Sequence, residues 1–310
     1  MICKVCNSEN TKQIVAKDNG TGNSFSYTNC NDCGLLALNE IPHNYSIYYS
    51  DNYYSFKTAG GILQKIKLLR DKYEVVGNNF IGKVIALLQP NQNLKSLKNL
   101  YLNKEDSLLD IGCGAGNEIK VLRQLGFSKT IGIDPFINQP LYFNDKLLVD
   151  KKDINDVMEK YNFITMHHSF EHVIEPLFVL EKINDLMIED GVAMIRIPVA
   201  NSYALETYGT NWVQFDAPRH VFLHTSKSMK ILCSKAGLEI KKIIYDSTAF
   251  QFWGSNLVKA GYSIHNVSKT RVLQERVRSF FRRDSARAKQ INRNAKGDQA
   301  IFIIKKSNLK

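Results

Sequence analysis

LLDIGCGAGNE, residues 108–118, decides the fold. An apolar run ends in Asp110, and Gly112, Gly114 and Gly116 then alternate with Cys113 and Ala115. A glycine-rich turn between a strand and a helix cradles a ligand, because backbone N–H groups approach it closely. The dinucleotide fingerprint G-x-G-x-x-G holds a pyrophosphate in this way. Here the third glycine comes one residue early. Asp110 also stands at the carboxyl end of the expected strand, beside the crevice. A carboxylate there repels a diphosphate and suits a ligand with positive charge near the turn.

Working outward, β and α patterns alternate. Strands are expected at 108–111, 130–134, 146–149, 163–166, 192–197 and 239–245. Helices are expected at 117–125, 154–160, 177–187 and 226–236, the last closed by Gly237 as a C-cap. This rhythm predicts an α/β fold with a doubly wound, mainly parallel sheet. Asp134 ends the second strand, where an acid accepts both hydroxyls of an adenosine ribose. The pair Asp110 and Asp134 asks for an adenosine with a cationic amino-acid tail, a description that S-adenosylmethionine meets. Residues 198–225 show no period and are too long for an ordinary connection, which marks a functional loop. Residues 248–296 hold a strongly basic helical stretch that reads either as a solvated face or as an anion-binding one. Upstream, apolar residues recur at helical spacing over 61–88 and stop before Pro90. The aromatic-rich stretch 41–56 reads as a linker whose tyrosines pack on the next domain.

At the N-terminus, Cys3-Lys-Val-Cys6 and Cys30-Asn-Asp-Cys33 form two knuckles, with hairpin strands expected at 13–16 and 24–28. This spacing predicts a structural Zn²⁺ held by Cys3, Cys6, Cys30 and Cys33. A redox Cys-x-x-Cys would open a helix in a βαβ unit, which is absent here. Cys113 reads as packing against the ligand rather than as a nucleophile, and Cys233 as core.

The 310 residues suffice for one sizeable core and a small attachment. A formal net charge of +11, offset in part by zinc-bound thiolates, suits an anionic partner. No apolar run approaches a membrane span, and MICKVCNSEN lacks a hydrophobic signal region, so a cytoplasmic protein is expected. The segment 270–296 offers weak peripheral contact with an anionic membrane.

Asp110-Ile-Gly-Cys-Gly-Ala-Gly116 with Asp134 resembles the first two motifs of the class I S-adenosylmethionine-dependent methyltransferases. HHSFEHVIEP and GVAMIRIPVANS resemble the segments at the fourth and fifth strands of a bacterial subset. The resemblance covers roughly residues 100–305. It implies a Rossmann-like, seven-stranded sheet whose last strand, 300–304, runs antiparallel between the fifth and sixth. It also implies a cofactor site of Asp110, Gly112, Cys113, Gly114, Gly116, Asp134, Pro135 and His167, with Asp153 and Ile154 at the adenine. The expected organisation is a zinc ribbon over 1–40, a linker and helical lid over 41–104, and the methyltransferase domain over 105–310.

For the acceptor, two clusters stand out. His168 and His172 are four apart, but HSFEH is not the H-E-x-x-H zincin order. His167 and His168 are therefore expected to line the site, and Glu171 and His172 to hold the turn. NWVQFDAPRHVFLHT resembles a loop of the zinc-bearing methyltransferases of deoxysugar biosynthesis, although Pro218-Arg219 replaces that group's histidine and acid. The resemblance makes His220 the general base, with His168 as the other catalytic candidate. Asp216 or Glu171 would orient His220, and Arg219 would clamp a substrate phosphate. The alternative is an Asp216–Arg219 pair that only braces the loop. The reading is methyl transfer to a small, anionic acceptor, a sugar or nucleotide-linked sugar of polysaccharide biosynthesis. RNA methylation and an inactive nucleic-acid-binding module are the rivals. Against RNA, the N/D-P-P-[FYW] and Pro-Cys patterns are missing, since Pro198 precedes Val199.

Overall fold

The computed structural model describes residues 1–48, 62–77 and 79–307. The chain opens as an antiparallel sheet in which β1 (Thr11–Lys17) pairs with β2 (Ser24–Cys30) and β2 with β3 (Leu36–Leu38). The tyrosine-rich stretch expected over 41–56 is described as far as Tyr48, and Tyr49, Tyr53, Tyr54 and Phe56 lie outside the described residues. The helical stretch over 61–88 is two helices, α1 (Ile62–Val76) and α2 (Phe80–Leu88), divided at Gly77. Asn79 starts the second by accepting a hydrogen bond from the Gly82 N–H. A short α3 (Gln92–Ser96) leads into the large sheet.

β4 (Leu108–Ile111) carries the glycine turn into α4 (Asn117–Gln124). Next come β5 (Thr130–Ile133), β6 (Leu141–Phe143), β7 (Lys146–Asp150) and β8 (Tyr161–His167). α5 (Pro176–Leu186) and β9 (Met187–Pro198) follow. The long loop contains α6 (Tyr203–Tyr208) and β10 (Phe222–Leu223). Finally come α7 (Ser226–Lys235), β11 (Leu238–Tyr245), α8 (Phe250–Lys259), α9 (Lys269–Phe281), α10 (Asp284–Arg293) and β12 (Gln299–Lys306). The large sheet has the order β11-β12-β9-β8-β4-β5-β7-β6. β4 pairs in parallel with both β5 and β8, so the strand order reverses beside it, where doubly wound folds open a ligand crevice. β12 is antiparallel to β9 and to β11, as expected for the tail.

Strand alternation explains both faces of this sheet. Ala193, Ile195, Phe302 and Ile304 join one core, packed with α5 and α7, while Met194, Ile301 and Ile303 join the other, packed with α3 and α4. The first core runs on without a break into Val5, Tyr27 and Leu35 of the N-terminal sheet.

Three sequence expectations change. The helix expected over 154–160 is a single 3-10 turn, Ile154–Asp156, because Val157 is already extended and the chain must reach β8. The sheet gains an eighth strand, β6, which makes a two-residue hairpin with β7. Both turn residues, Asn144 and Asp145, have positive φ, which Asn and Asp tolerate. The loop over 198–225 is partly regular, since β10 pairs with β3 and thereby completes the N-terminal sheet. The stretch over 248–296 is helical as expected and divides into α8, α9 and α10. Among the described residues no helix is long and apolar enough to cross a membrane.

Candidate active site at the carboxyl edge of the sheet

The turn after β4 depends on its glycines. Gly112, Gly114 and Gly116 all have positive φ, between 56° and 71°. A Cβ on Gly112 would meet Ser169 Cβ at 2.6 Å, and one on Gly116 would meet Val149 Cγ2 at 2.3 Å. The cysteine within the turn packs down onto the next strand, its Sγ 2.3 Å from where a Cβ on Gly132 would lie. Burial raises the Cys113 thiol well above its ordinary range, which suits packing and not thiolate chemistry.

Two acids flank this turn. Asp110 is buried and accepts from Thr165 Oγ1 at 2.8 Å. Burial, with Glu118 and Asp134 nearby, pushes its pKa up to about 8 against the effect of the Thr165 hydroxyl. Asp134 Oδ2 accepts from the Gly114 N–H at 2.8 Å, and its Oδ1 accepts from the Phe136 N–H at 2.9 Å across Pro135. Each carboxylate oxygen has a second lone pair, so the same acid can hold the turn and still accept two ribose hydroxyls. The donor set therefore fits S-adenosylmethionine, with acids for its charged tail and its sugar. Asp153 is exposed and accepts from the Asn155 N–H at 3.0 Å, which turns buried Ile154 inward.

His167 ends β8 and His168 follows it. Nδ1 of His167 is buried without a hydrogen-bond partner among the described residues, and burial, with Arg196 and His168 close by, lowers this imidazole to about 3. Both nitrogens of His168 are engaged. Nε2 meets Arg196 Nη1 at 2.9 Å, and because an arginine only donates, that nitrogen accepts. Nδ1 then carries the proton and donates to Glu171 Oε1 at 3.3 Å. The two contacts fix the ring in one tautomer and engage both nitrogens of this catalytic candidate. Arg196 itself is buried in β9 and held by Asp246 Oδ2 at 2.7 Å and Asn93 Oδ1 at 2.8 Å. No motif or periodicity marks Arg196 as functional, although a lone charge inside an apolar strand signals a buried partner.

The second cluster meets the first. Glu171 is fully buried, its Oε1 3.9 Å from His220 Nε2. Burial opposes its ionisation, but the His168 hydrogen bond and the surrounding imidazoles hold its pKa down at about 2. His220 Nδ1 lies 2.7 Å from the Gln214 carbonyl, so it donates there and leaves Nε2 as the basic nitrogen. That nitrogen also lies 3.8 Å from Asp216 Oδ2. Burial lowers His220 to about 4, against the pull of Asp216. His172 Nδ1 donates to the Arg219 carbonyl at 2.7 Å, and its ring stands edge-on to His220 at 4.9 Å. Glu171, His172 and His220 bring one ligand atom each within 4.8 Å of one another. Arg219 does not reach outward as a phosphate clamp. It is buried, paired through Nε and Nη2 with Asp216, and donates to the Tyr48 carbonyl at 3.1 Å.

The N-terminal sheet holds this loop. Tyr27 Oη donates to the His220 carbonyl and Tyr45 Oη to the Arg219 carbonyl, both at 3.0 Å. The Leu38 N–H donates to the Val221 carbonyl at 2.8 Å, and Thr225, the N-cap of α7, donates through Oγ1 to the Cys33 carbonyl. Beneath these contacts the four cysteines converge. Cys3 and Cys33, and likewise Cys6 and Cys30, place their sulfurs 3.5 Å apart, far beyond a disulfide bond. Four thiols at this separation match tetrahedral thiolate ligation of a zinc ion.

Comparison with known proteins fits this geometry. The model of a family described as a methyltransferase domain matches residues 85–243. The ubiquinone biosynthesis O-methyltransferase of Haemophilus ducreyi is 26% identical over 180 residues, which span 50% of this chain and 75% of that protein. Its counterpart in Actinobacillus pleuropneumoniae serotype 5b is 28% identical over 180 residues, spanning 50% and 76%. Among solved structures, the O-methyltransferase of a Brevibacillus brevis trans-AT PKS multienzyme, in complex with S-adenosyl-L-homocysteine, aligns at 16% identity. The alignment has a TM-score of 0.46 and covers 81% of this chain and 82% of that one. Because the matched residues make up slightly more than half of the chain and carry the glycine turn, both flanking acids and the His–Glu cluster, this protein belongs to the class I S-adenosylmethionine-dependent methyltransferases.

Proposed function

We propose that the chain methylates a hydroxyl of a small sugar or nucleotide-linked sugar, with His220 as general base. The observation that carries this reading is the oriented imidazole. Nδ1 of His220 is committed to the Gln214 carbonyl, and Nε2 faces two carboxylates at 3.8 and 3.9 Å. Such an imidazole is neutral near pH 7, accepts a proton at Nε2, and is stabilised once charged by Glu171 and Asp216. S-adenosylmethionine supplies the electrophilic methyl group. The turn of Gly112, Gly114 and Gly116 and the acids Asp110, Asp134 and Asp153 would bind it, with Ile154, Pro135 and His167 around it. An oxygen acceptor is supported by the relatives, whose names make them O-methyltransferases. A hydroxyl must lose its proton as the new C–O bond forms, which gives the base a task. Since Arg219 is internal, recognition of an anionic acceptor falls to other cations. We also assign the four cysteines a structural zinc, which would fix the sheet that grips the loop over 212–225.

The test is turnover with methyl-labelled S-adenosylmethionine over a panel of nucleotide-linked sugars. His220→Ala should lower kcat about a hundredfold or more and leave S-adenosylhomocysteine affinity intact. Turnover should also resist a chelator too weak to strip the cysteine site. Full turnover by the variant rejects the base. Labelling of RNA with none of the sugars rejects the acceptor class.

A further inference from the structure

α9, with the sequence KTRVLQERVRSFF, is turned inside out. The residues it buries against the body are polar, Glu275 and Ser279. The residues it exposes are Leu273, Val277, Phe280 and Phe281, at 61%, 47%, 78% and 77%. At about 100° per residue these four fall within an arc of roughly 100°, the width of an apolar stripe, on the side opposite Glu275 and Ser279. Cations flank the stripe. Lys269 and Arg276 lie along one edge, Arg271 and Arg278 lie beyond the other on the flank toward Glu275, and Arg282 and Arg283 follow the end of the helix, all of them exposed. The nearby acids are internal: Glu275 pairs with Arg278 and Arg282, and Asp284 with Arg282.

We propose that α9 docks this protein onto an anionic lipid bilayer, lying in the interface with Leu273, Val277, Phe280 and Phe281 among the acyl chains. An interfacial helix requires this cross-section, with an apolar stripe pointing away from the protein and cations beside it at headgroup level. Charge complementarity selects the occupant. A second copy of the chain, paired two-fold through this face, would press the cations beside the stripe against the same cations of its copy. A nucleic acid would meet the cations but would set two aliphatic side chains, Leu273 and Val277, against its phosphates. An anionic bilayer satisfies both halves of the pattern. This surface is independent of the acceptor proposed above, because it lies on the excursion between β11 and β12 and contains none of the residues around the glycine turn.

The full chain is to be sedimented with vesicles of phosphatidylglycerol and phosphatidylcholine in equal parts, and with phosphatidylcholine alone. We expect binding to the mixed vesicles only, weakening as salt is added. Phe280→Ser/Phe281→Ser should lower that affinity about tenfold or more. Arg276→Gln and Arg283→Gln should each lower it about fivefold. In every variant S-adenosylhomocysteine should still raise Tm as in the parent, which shows that the fold is intact. Four outcomes overturn the proposal: equal vesicle binding by the double phenylalanine variant, equal binding to phosphatidylcholine alone, a dimer that this variant dissolves, or single-stranded RNA that outcompetes the vesicles.

Discussion

Asp110 keeps a proton near neutrality because burial strips water from a carboxyl that faces two other acids and only one hydroxyl donor. A sulfonium or ammonium set against it favours the carboxylate, so binding and deprotonation are linked. Titration of S-adenosylmethionine at pH 7 should therefore release most of one proton, read by calorimetry in buffers of different ionisation enthalpy. Asp110→Asn should abolish the release, while a buffer-independent enthalpy in the parent would show that Asp110 is already ionised. The glycines give a second prediction at this scale. Gly261 and Gly116 both have positive φ, but a Cβ on Gly261 would meet nothing within 4 Å, whereas one on Gly116 would overlap Val149 Cγ2. Gly261→Ala should cost about 1–2 kcal/mol of stability, the backbone penalty alone. Gly116→Ala should exceed that by about 1–3 kcal/mol, the cost of overpacking. Urea unfolding of the two variants measures the difference, and equal losses would mean that Val149 yields freely.

Among the elements, the ribbon sheet and the loop after β9 form one unit, since β10 is the fourth strand of the sheet that begins at β1. If zinc holds the cysteine cluster, Cys30→Ser should act on the loop more than on the cofactor turn, which stands on β4 and β5. The variant should lose zinc, fall in Tm and lose turnover, while its affinity for S-adenosylhomocysteine changes by less than about threefold. A parallel collapse of cofactor affinity would show that the ribbon supports the whole crevice. This dependence was hidden in the sequence for a physical reason. Glycines, strand-end acids and paired cysteines act over a few residues, so spacing reports them. The contact of Tyr27 with the His220 carbonyl joins residues 193 positions apart, and no local pattern encodes it. The same holds for Arg196, whose partners Asn93, His168 and Asp246 come from three distant segments. The β6–β7 hairpin was closer to legible, since Asn144-Asp145 is turn chemistry between two short apolar runs. The three-residue length of β6 concealed it.

For the whole molecule, stability depends on histidines that the fold keeps neutral. His224 lies at the junction of the two sheets. It is one residue past β10, bridged to Val199 beyond β9, and fully buried with its ring stacked on Phe222 at 5.7 Å. Nε2 has no hydrogen-bond partner among the described residues, and burial lowers the imidazole from its usual 6.5 to about 3, against the pull of Glu171. Unfolding returns the ring to water and to its usual pKa. Below pH 6.5 the unfolded chain therefore binds a proton that the folded chain refuses, and stability falls as pH falls until about 3. Asp110 works in the opposite sense, because its raised pKa means that the folded state holds the proton and loses stability as pH rises toward about 8. A bare pH profile mixes these contributions, so a paired comparison is needed. His224→Phe keeps a planar ring between its aromatic neighbours and removes both the unpartnered nitrogen and the titration. Relative to the parent, this variant should gain about 1.4 kcal/mol per pH unit below 6.5, or about 2 kcal/mol at pH 5. Urea unfolding of both proteins at pH 7, 6 and 5 reads the gap directly. A gap that widens on acidification by this amount places a neutral imidazole at the junction, a constant gap would mean that His224 titrates as it does in the unfolded chain, and a narrowing gap that it is charged in the folded protein.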